Sequence, residues 1–380
     1  MPKNHYDYII VGNGLAGLQL ALALNQDSFF KEKSIALIDP SPKNVNDKTW
    51  SFWEEKSGKW DKIVNKKWTK ANIYTSKKQI RLNLNPYTYK SIRGIDFYNL
   101  AKAEIQQNKN FTFLIETVTD VSETKTPIVT TETNSYTANH VFDSRLTKDY
   151  DLNDKSYTNI IQHFKGWVIN TENNVFDDTT LTMMDYRLKD GNQTTFMYVL
   201  PTAKNKALIE FTYFTENLVE QKTYDKYIKQ YISQYLKIRN YNIIETEAGQ
   251  IPMTTFPFDS YNTRSVTKIG TAGGWVKPST GYSFKNTEHK VSLIISNLKN
   301  NKIPSSGLHK SKYKFYDKIF LKVLKDENYK GEWIFKQYYS KNNPTTMFKF
   351  LDETSTFKED LKIMWSLFSF SFIKAFFKTL

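Results

Sequence analysis

The chain has 380 residues, which is more than one ordinary domain holds and predicts two closely packed lobes. It has no cysteine, so thiol nucleophiles, thiolate metal sites and disulfides are all excluded. The formal net charge is +14, but no nucleic-acid-binding motif accompanies the basic residues, so no nucleic-acid partner is expected.

The beginning of the chain has the pattern of a dinucleotide-binding unit. Residues 6–11 predict a buried strand, and residues 15–24 predict an apolar helix. A second strand is predicted at residues 34–38 and stops at Asp39. This order of strand, glycine turn, helix, strand and acid is the context that a dinucleotide fingerprint requires.

Three glycines between the first strand and the helix have separate roles in this pattern. Gly12 permits a tight turn, Gly14 lets the backbone approach a pyrophosphate, and Gly17 allows close packing of helix on strand. The helix N-terminus attracts phosphate, and an acid at Asp39 suits ribose hydroxyls and disfavours NADP at this site. The predicted dinucleotide contacts are Gly12, Gly14, Leu15, Ala16, Gly17 and Asp39.

The middle and end of the chain predict a strand-rich region followed by helices. Strands are indicated within residues 67–85, 110–138 and 160–214, and helices at 96–108, at about 216–238 and over most of the chain beyond 285. Asp96 is expected to cap the helix at 96–108.

A second glycine-rich segment spans residues 270–284. Two such loops can bring bare backbone against both the diphosphate and the ring of a flavin dinucleotide, so the chain has the pattern of an FAD-binding protein. Arg93 opens a predicted helix, where it either reaches the cofactor or lies at the surface. Further cofactor contacts are predicted from Arg93, Gly273, Gly274 and Gly281.

The spacing of these segments predicts an α/β protein with a discontinuous Rossmann-like FAD-binding domain, an inserted mixed-sheet substrate domain and a helical C-terminal region. The expected divisions are residues 1–66, 92–150 and 262–300 for the FAD-binding domain, 67–91 and 151–261 for the substrate domain, and 301–380 for the helical region.

One carboxylate and a cluster of aromatic side chains are candidates for chemistry. Glu210 lies in an apolar, aromatic strand, where desolvation would keep it protonated as a general acid; a water-facing strand carboxylate is the alternative. Trp50, Phe52 and Trp53 either wall an apolar pocket that stabilises a carbocation or pack in the core. The five histidines are scattered without metal-ligand spacing, so no metal site is predicted.

The last fifth of the chain predicts contact with a membrane surface. Residues 301–380 hold 15 Lys and 8 Asp or Glu, a net charge of +7, and residues 363–377 are strongly aromatic. A buried terminal helix and a general preference for lysine are the alternatives. Neither a secretory signal nor an apolar span of ~20 residues is expected, so a cytoplasmic protein associated peripherally with the membrane is predicted.

These motifs together resemble the flavin-dependent lycopene cyclases, in particular the bacterial lycopene β-cyclases of carotenoid synthesis. The resemblance covers nearly the whole chain and rests on residues 12–17, 47–53, 92–97, 141–145, 162–167, 184–187, 209–212, 247–253 and 270–284. The first motif is generic to dinucleotide-binding folds, whereas those at 49–53 and 270–284 are more specific.

The resemblance implies a fold like that of flavin hydroxylases and geranylgeranyl reductases, and an isomerase that cyclises the ψ-ends of lycopene to β-ionone rings without net redox change. It implies reduced FAD as cofactor, NAD(P)H as external reductant and Glu210 as the acid. The second acid that some relatives carry is Phe211 here, so Asp185 and Glu247 are candidates to replace it. The expected substrate pocket comprises Trp50, Phe52, Trp53, Asp185, Phe211, Pro278 and Tyr282.

Two other functions remain compatible with the sequence. The first is an FAD-dependent monooxygenase or prenyl reductase of the same fold, although such proteins usually carry Gly-Asp where this chain has Gly270-Thr271. The second is a non-catalytic protein that binds a membrane or a carotenoid.

Overall fold

The computed structural model of the protein describes residues 4–123 and 125–380, with strands dominating up to residue 268 and helices beyond it. The strands are β1 (His5–Val11), β2 (Ile35–Ile38), β3 (Thr49–Glu54), β4 (Val64–Trp68), β5 (Lys70–Tyr74), β6 (Gln79–Asn83), β7 (Thr88–Arg93), β8 (Phe111–Leu114), β9 (Val118–Glu123), β10 (Pro127–Thr131), β11 (Ser135–Asp143), β12 (Asn159–Asn170), β13 (Thr180–Asp185), β14 (Thr195–Ala203), β15 (Lys206–Thr215), β16 (Asn242–Thr254) and β17 (Val266–Lys268). The helices are α1 (Leu15–Gln26), α2 (Gly94–Ile105), α3 (Gln221–Gln234), α4 (Phe284–Lys299), α5 (Ser311–Asp326), α6 (Gly331–Lys341), α7 (Pro344–Leu351), α8 (Phe357–Ser366) and α9 (Phe370–Thr379).

The first sheet contains the strand–turn–helix–strand unit that the sequence predicts. Its order is β8-β2-β1-β11-β10-β9, with β17 also paired to β11; β9 and β10 are its antiparallel members. On one face, Ile10 and Leu37 belong to a core shared with α1, α2 and α4. Ile9 and Ile38 pack in a separate core on the other face. Burial on both faces explains why these parallel strands read as continuous apolar runs.

The second sheet has the order β16-β12-β15-β14-β13-β5-β6 and is antiparallel except for the pair β5–β13. Ile209 and Phe211 of β15 pack on one face in a core shared with α3. Leu208 and Phe214 pack on the other face in a core shared with the C-terminal helices. Since side chains alternate along a strand, Glu210 lies on the same face as Leu208 and Phe214.

A small antiparallel third sheet, β3-β7-β4, places an aromatic cluster against α4. Phe52 of β3 stacks on Phe284 at the start of α4, with ring centroids 4.5 Å apart and planes at 14°. Trp50 packs edge-on against Phe97 of α2, at 5.4 Å. This sheet therefore contributes side chains both to the core beside the first sheet and to the core shared by the second sheet and the C-terminal helices.

Helix boundaries differ in places from those that the sequence predicts. α2 begins at Gly94 with Arg93 as its N-cap, so Asp96 lies in the first turn and does not cap the helix. The aromatic stretch at 363–377 forms parts of two helices, because the chain leaves helical conformation between Ser366 and Phe370. In the part of the chain that the structure describes, no helix combines the length and the apolar character needed to cross a membrane.

Candidate functional site

A cavity of about 410 Å³ lies between the second sheet, the third sheet and residues 270–284. We call it the acid cavity because Glu210 and Glu247 of the second sheet line it, with Asp47 as a third carboxylate in the lining. Ten of its thirty lining residues are aromatic. Its lining includes Trp50, Tyr89, Tyr198, Glu210, Glu247 and Tyr282.

The two glutamates come from strands that flank β12 on either side. Gly166 of β12 is paired with Glu210 of β15 and with Glu247 of β16, so all three residues share one face of the sheet. A Cβ atom added to Gly166 would lie 3.3 Å from Cβ of Glu210 and 3.4 Å from Cγ of Glu247. Leu208 lies closer still, with its Cδ1 at 2.8 Å, so glycine at this position lets Leu208 and the two glutamates pack closely together.

Burial favours the protonated form of both glutamates. Glu210 is 7% exposed, and burial, followed by the charge of Glu247, raises its pKa to about 8. Burial likewise raises the pKa of Glu247 to about 7, with a smaller contribution from the charge of Glu245. Thr212 and Thr49 donate hydrogen bonds to Glu210 (2.6 Å) and Glu247 (2.9 Å), which offset these shifts only in part. The pair thus retains a proton near neutral pH.

Three tyrosine hydroxyls form a chain beside these carboxyls. The hydroxyl of Tyr89 lies 2.8 Å from those of Tyr198 and Tyr282, and Tyr198 donates to Ser51 at 3.1 Å. Burial raises the pKa of all three phenols well above the ordinary value. The charge of Glu210 contributes to the raised pKa of Tyr198 and Tyr282. These tyrosines therefore stay neutral at ordinary pH.

The predicted pocket residues occupy different positions around this site. Trp50 and Tyr282 line the acid cavity, whereas Phe52 is stacked on Phe284 in the core. Trp53 stacks on Phe348 with centroids 4.6 Å apart, and its Nε1 donates to Asp352 at 2.8 Å. Pro278 lines a separate cavity of about 70 Å³ and does not belong to the lining of the acid cavity.

Asp185 and Phe211, which the sequence analysis placed in the substrate pocket, do not line the acid cavity. Nε of Arg187 donates to Asp185 at 2.9 Å, and the hydroxyl of Tyr231 on α3 donates to it at 2.8 Å. Phe211 stacks on Tyr227 of α3, with centroids 4.7 Å apart. Both side chains are thus held on the α3 side of the second sheet, opposite to Glu210. Of the two candidates for a second acid, the structure brings Glu247 and not Asp185 to the cavity.

The first glycine loop has one position with free space beside it. A Cβ on Gly12 would lie 2.0 Å from Oγ of Ser144, and one on Gly17 would lie 1.9 Å from the carbonyl oxygen of Gly12. Both contacts are too close for any side chain. Around Gly14, in contrast, no atom lies within 4 Å of an added Cβ, so the space before α1 is open. Leu15 and Ala16 form the start of α1, whose first turn has no capping side chain.

Two buried polar atoms, one in this loop and one at the start of α2, lack partners within the described residues. Oδ1 of Asn13 and Nε of Arg93 are buried without a hydrogen bond to any described residue. Asp39 accepts from the backbone N–H groups of Asn13 (2.6 Å) and Ser41 (2.7 Å) at the end of β2. Unpartnered polar groups, an uncapped helix and open space beside Gly14 fit a bound dinucleotide.

The second glycine segment adjoins the first. A Cβ on Gly270 would lie 3.3 Å from Cβ of Ala16, so the two loops are in contact. Gly273 and Gly274 form the turn after β17, and Gly281 lines the acid cavity. A flavin dinucleotide bound at the first loop would therefore have the second loop and the acid cavity beside it.

Comparisons with known proteins give one consistent grouping. A family model described as "Lycopene cyclase protein" matches residues 7–376. The chain is 27% identical over 304 residues to the chloroplastic lycopene beta cyclase of Arabidopsis thaliana, and 24% identical over 297 residues to the chloroplastic neoxanthin synthase of Solanum tuberosum. Each match covers 74% of this chain and 58% of the relative, so the chain spans well under the full length of these relatives.

The fold is shared with a solved reductase-like structure. A geranylgeranyl bacteriochlorophyll reductase-like protein from Thermoplasma acidophilum superposes with a TM-score of 0.62 at 14% sequence identity. The superposition covers 99% of this chain and 100% of the other, which confirms the predicted fold class.

Proposed function

Because the chain belongs to the lycopene cyclase family, we propose that it cyclises the ψ-ends of lycopene to β-ionone rings, giving γ-carotene and then β-carotene. The reaction is an isomerisation with no net gain or loss of electrons. The observation that carries the proposal is the buried Glu210 beside the half-buried Glu247 in a cavity with aromatic side chains, because an alkene can be protonated only by an acid that keeps its proton.

Glu210 is the proposed proton donor. Its carboxyl proton passes to the terminal double bond of the polyene, and the cation formed is attacked by the neighbouring double bond to close the ring. A ring proton then leaves to a carboxylate, which restores the starting charge of the site. Burial keeps Glu210 protonated at neutral pH, as this role requires.

Aromatic walls are proposed to stabilise the positive charge between these steps. Trp50, Tyr198 and Tyr282 present π faces or edges to the cavity, and the hydroxyl chain through Tyr89 holds two of them in place. Aromatic faces attract cations most strongly when both are desolvated. The same walls exclude water, which would otherwise trap the cation as an alcohol.

FAD in its reduced form is the proposed cofactor, with NAD(P)H as the external reductant. The residues proposed to hold it are Gly12, Gly14, Leu15, Ala16, Gly17, Asp39, Arg93, Gly273, Gly274 and Gly281. When bound and reduced, the flavin would supply negative charge opposite the developing cation. The open space at Gly14 and the buried, unpartnered Nε of Arg93 support this assignment.

The proposal is tested by expressing the chain in bacteria that accumulate lycopene and separating their pigments chromatographically. Conversion of lycopene to γ- and β-carotene is the expected result. Unchanged lycopene in cells that contain folded, flavin-loaded protein would contradict the proposed substrate.

Glu247 is proposed to set the proton affinity of Glu210, and Glu247→Gln tests this role. The charge of Glu247 helps to raise the pKa of Glu210, so removing that charge lowers it. Since the acid must be protonated to react, the alkaline limb of the pH–rate profile should move to lower pH. The profile of purified enzyme is compared with that of Glu132→Gln, which alters an exposed glutamate in the turn between β10 and β11. An unshifted limb in Glu247→Gln would exclude this role.

Peripheral membrane contact is proposed through α8 and α9. Their inner faces bury Ile363 and Ala375, so this end of the chain belongs partly to the core. The outer faces expose large aromatic groups, with Trp365 76% exposed. The other exposed apolar side chains here are Phe357, Leu361, Met364, Phe368, Phe370, Ile373, Phe376, Phe377 and Leu380. Lys374 and Lys378 accompany them on α9, a combination that favours an anionic bilayer surface.

Replacing Trp365 and Phe370 together with Ser should weaken binding to vesicles that contain phosphatidylglycerol. Each aromatic group that enters the bilayer interface contributes about tenfold in affinity, so a loss of roughly a hundredfold is expected. Cosedimentation with vesicles measures the effect. Phe29→Ser, which removes an exposed aromatic side chain after α1, is the matched control. Equal sedimentation of the double variant and the control would rule out this surface.

A further inference from the structure

A second cavity, of about 380 Å³, lies among α5, α6, α8 and α9. We call it the apolar cavity. Its lining is almost wholly hydrophobic and includes Phe315, Ile319, Phe320, Leu367, Phe372 and Phe376. Asp317 at its edge is neutralised by Lys277, whose Nζ lies 2.9 Å from the carboxylate. Nothing in this lining is suited to acid catalysis, but the cavity is well suited to hold a hydrocarbon.

The apolar cavity adjoins the acid cavity. Thr280, Phe335 and Tyr339 line both of them. Phe335 and Tyr339 are one turn apart on α6 and stack with centroids 6.4 Å apart. These three residues therefore form the wall between the two cavities. A long ligand that passed this wall would occupy both cavities.

The other end of the apolar cavity opens at the proposed membrane surface. Phe368, Phe376 and Phe377 both line the cavity and are exposed. A hydrocarbon leaving a bilayer at α8 and α9 would meet this cavity without crossing water, which avoids the cost of hydrating it.

We propose that the apolar cavity binds the unreacted remainder of the acyclic polyene while one ψ-end lies at Glu210. The substrate would extend from the acid cavity, past Phe335 and Tyr339, to the surface of α8 and α9. This inference rests on the proposed function, since it assigns a binding site to the rest of the same substrate. It follows from the size of the ligand: only its end group needs an acid, whereas the remaining chain needs apolar contact along its length.

Two substitutions on α8 test the proposal. Met364 lines the apolar cavity and is 38% exposed, whereas Leu361, one turn earlier, is 48% exposed and does not line it. Met364→Trp should fill the cavity, and Leu361→Trp is the matched control. Both are made in the Glu210→Gln background, which can hold substrate without turnover. Binding of lycopene in detergent micelles is followed by its absorption spectrum.

Met364→Trp should weaken lycopene binding by about tenfold relative to Leu361→Trp, the effect of losing contact for one buried apolar group. Equal dissociation constants for the two variants would overturn the proposal. Loss of copurified phospholipid from Met364→Trp, with lycopene affinity unchanged, would assign the cavity to a lipid acyl chain and also overturn it. Ile373→Trp, at another lining position, replaces Met364→Trp if that variant does not fold.

A second comparison separates this inference from the proposed function. With Glu210 intact, Met364→Trp should cyclise a half-length polyene with a single ψ-end at the wild-type rate but should cyclise lycopene about tenfold more slowly at low substrate concentration. Equal slowing for both polyenes would overturn the inference and leave the function standing. If wild-type protein cyclises neither polyene while Met364→Trp still weakens lycopene binding, the proposed function fails and the binding site stands.

Discussion

Glu210→Gln is expected to slow lycopene cyclisation by roughly 10²–10⁴-fold, the usual contribution of a general acid. The amide matches the shape of the carboxyl and can still accept the hydrogen bond from Thr212, but it has no acidic proton to give to an alkene. The protein should remain folded and flavin-loaded. Rates are measured as ring formation from lycopene by purified, reduced enzyme.

The same variant has a second readout that does not depend on activity. The folded pKa of Glu210 lies above its ordinary value of 4.5, so stability from this group is present at low pH and is lost as pH rises towards about 8. Glu210→Gln removes this group, so its unfolding free energy should fall less over that interval than that of the wild type. Glu132→Gln, on an exposed glutamate, should change neither the rate nor this slope. Wild-type activity in Glu210→Gln would show that the proton comes from another group.

Gly14→Asp is expected to abolish flavin binding without damaging the fold. The backbone at Gly14 has φ −80° and ψ −163°, which any residue adopts, and an added Cβ meets no atom within 4 Å. Aspartate at this N-cap position should be neutral or stabilise the helix by about 0.3 kcal/mol. Its carboxylate would, however, occupy the place of the cofactor diphosphate, and like charges in contact cost several kcal/mol, so flavin affinity should fall by at least about a hundredfold.

Flavin content after purification and the melting temperature of the apoprotein measure the two effects of Gly14→Asp. Gly14→Ala is the matched control, because it adds a Cβ without charge and should retain most of the flavin. Full flavin content in Gly14→Asp would place the dinucleotide elsewhere. Loss of flavin together with unfolding, in contrast, would mean that Gly14 supports the fold more than the open space beside it indicates.

The dinucleotide-binding turn could be predicted from sequence because its requirements are local. Gly12 has a positive φ of 98°, and a Cβ on Gly17 would meet the backbone of Gly12 and the side chain of Ile10, so a short segment carries most of the pattern. The aromatic stretch near the end of the chain was less predictable, because a three-residue break between α8 and α9 divides it and changes which side chains are buried.

The partners of Glu210 could not be derived from sequence. Gly166 and Glu247 reach it only through the register of β12 with β15 and β16, which a single sequence does not reveal. β15 is apolar on both faces, so its pattern gave no indication that Phe211 faces α3 while Glu210 faces the cavity. The tyrosine chain was missed for a similar reason: Tyr89 and Tyr198 lie on different sheets and match no motif.

The most direct test of the central claim is the mass of the product formed by purified, flavin-loaded enzyme in D₂O. Acid-catalysed cyclisation adds one solvent-derived deuteron and releases one proton for each ring, so each ring should carry a single deuterium and the product made in H₂O should have the mass of lycopene. A product heavier by oxygen or by added hydrogen in H₂O, or rings without deuterium in D₂O, would contradict a redox-neutral cyclisation with Glu210 as the acid.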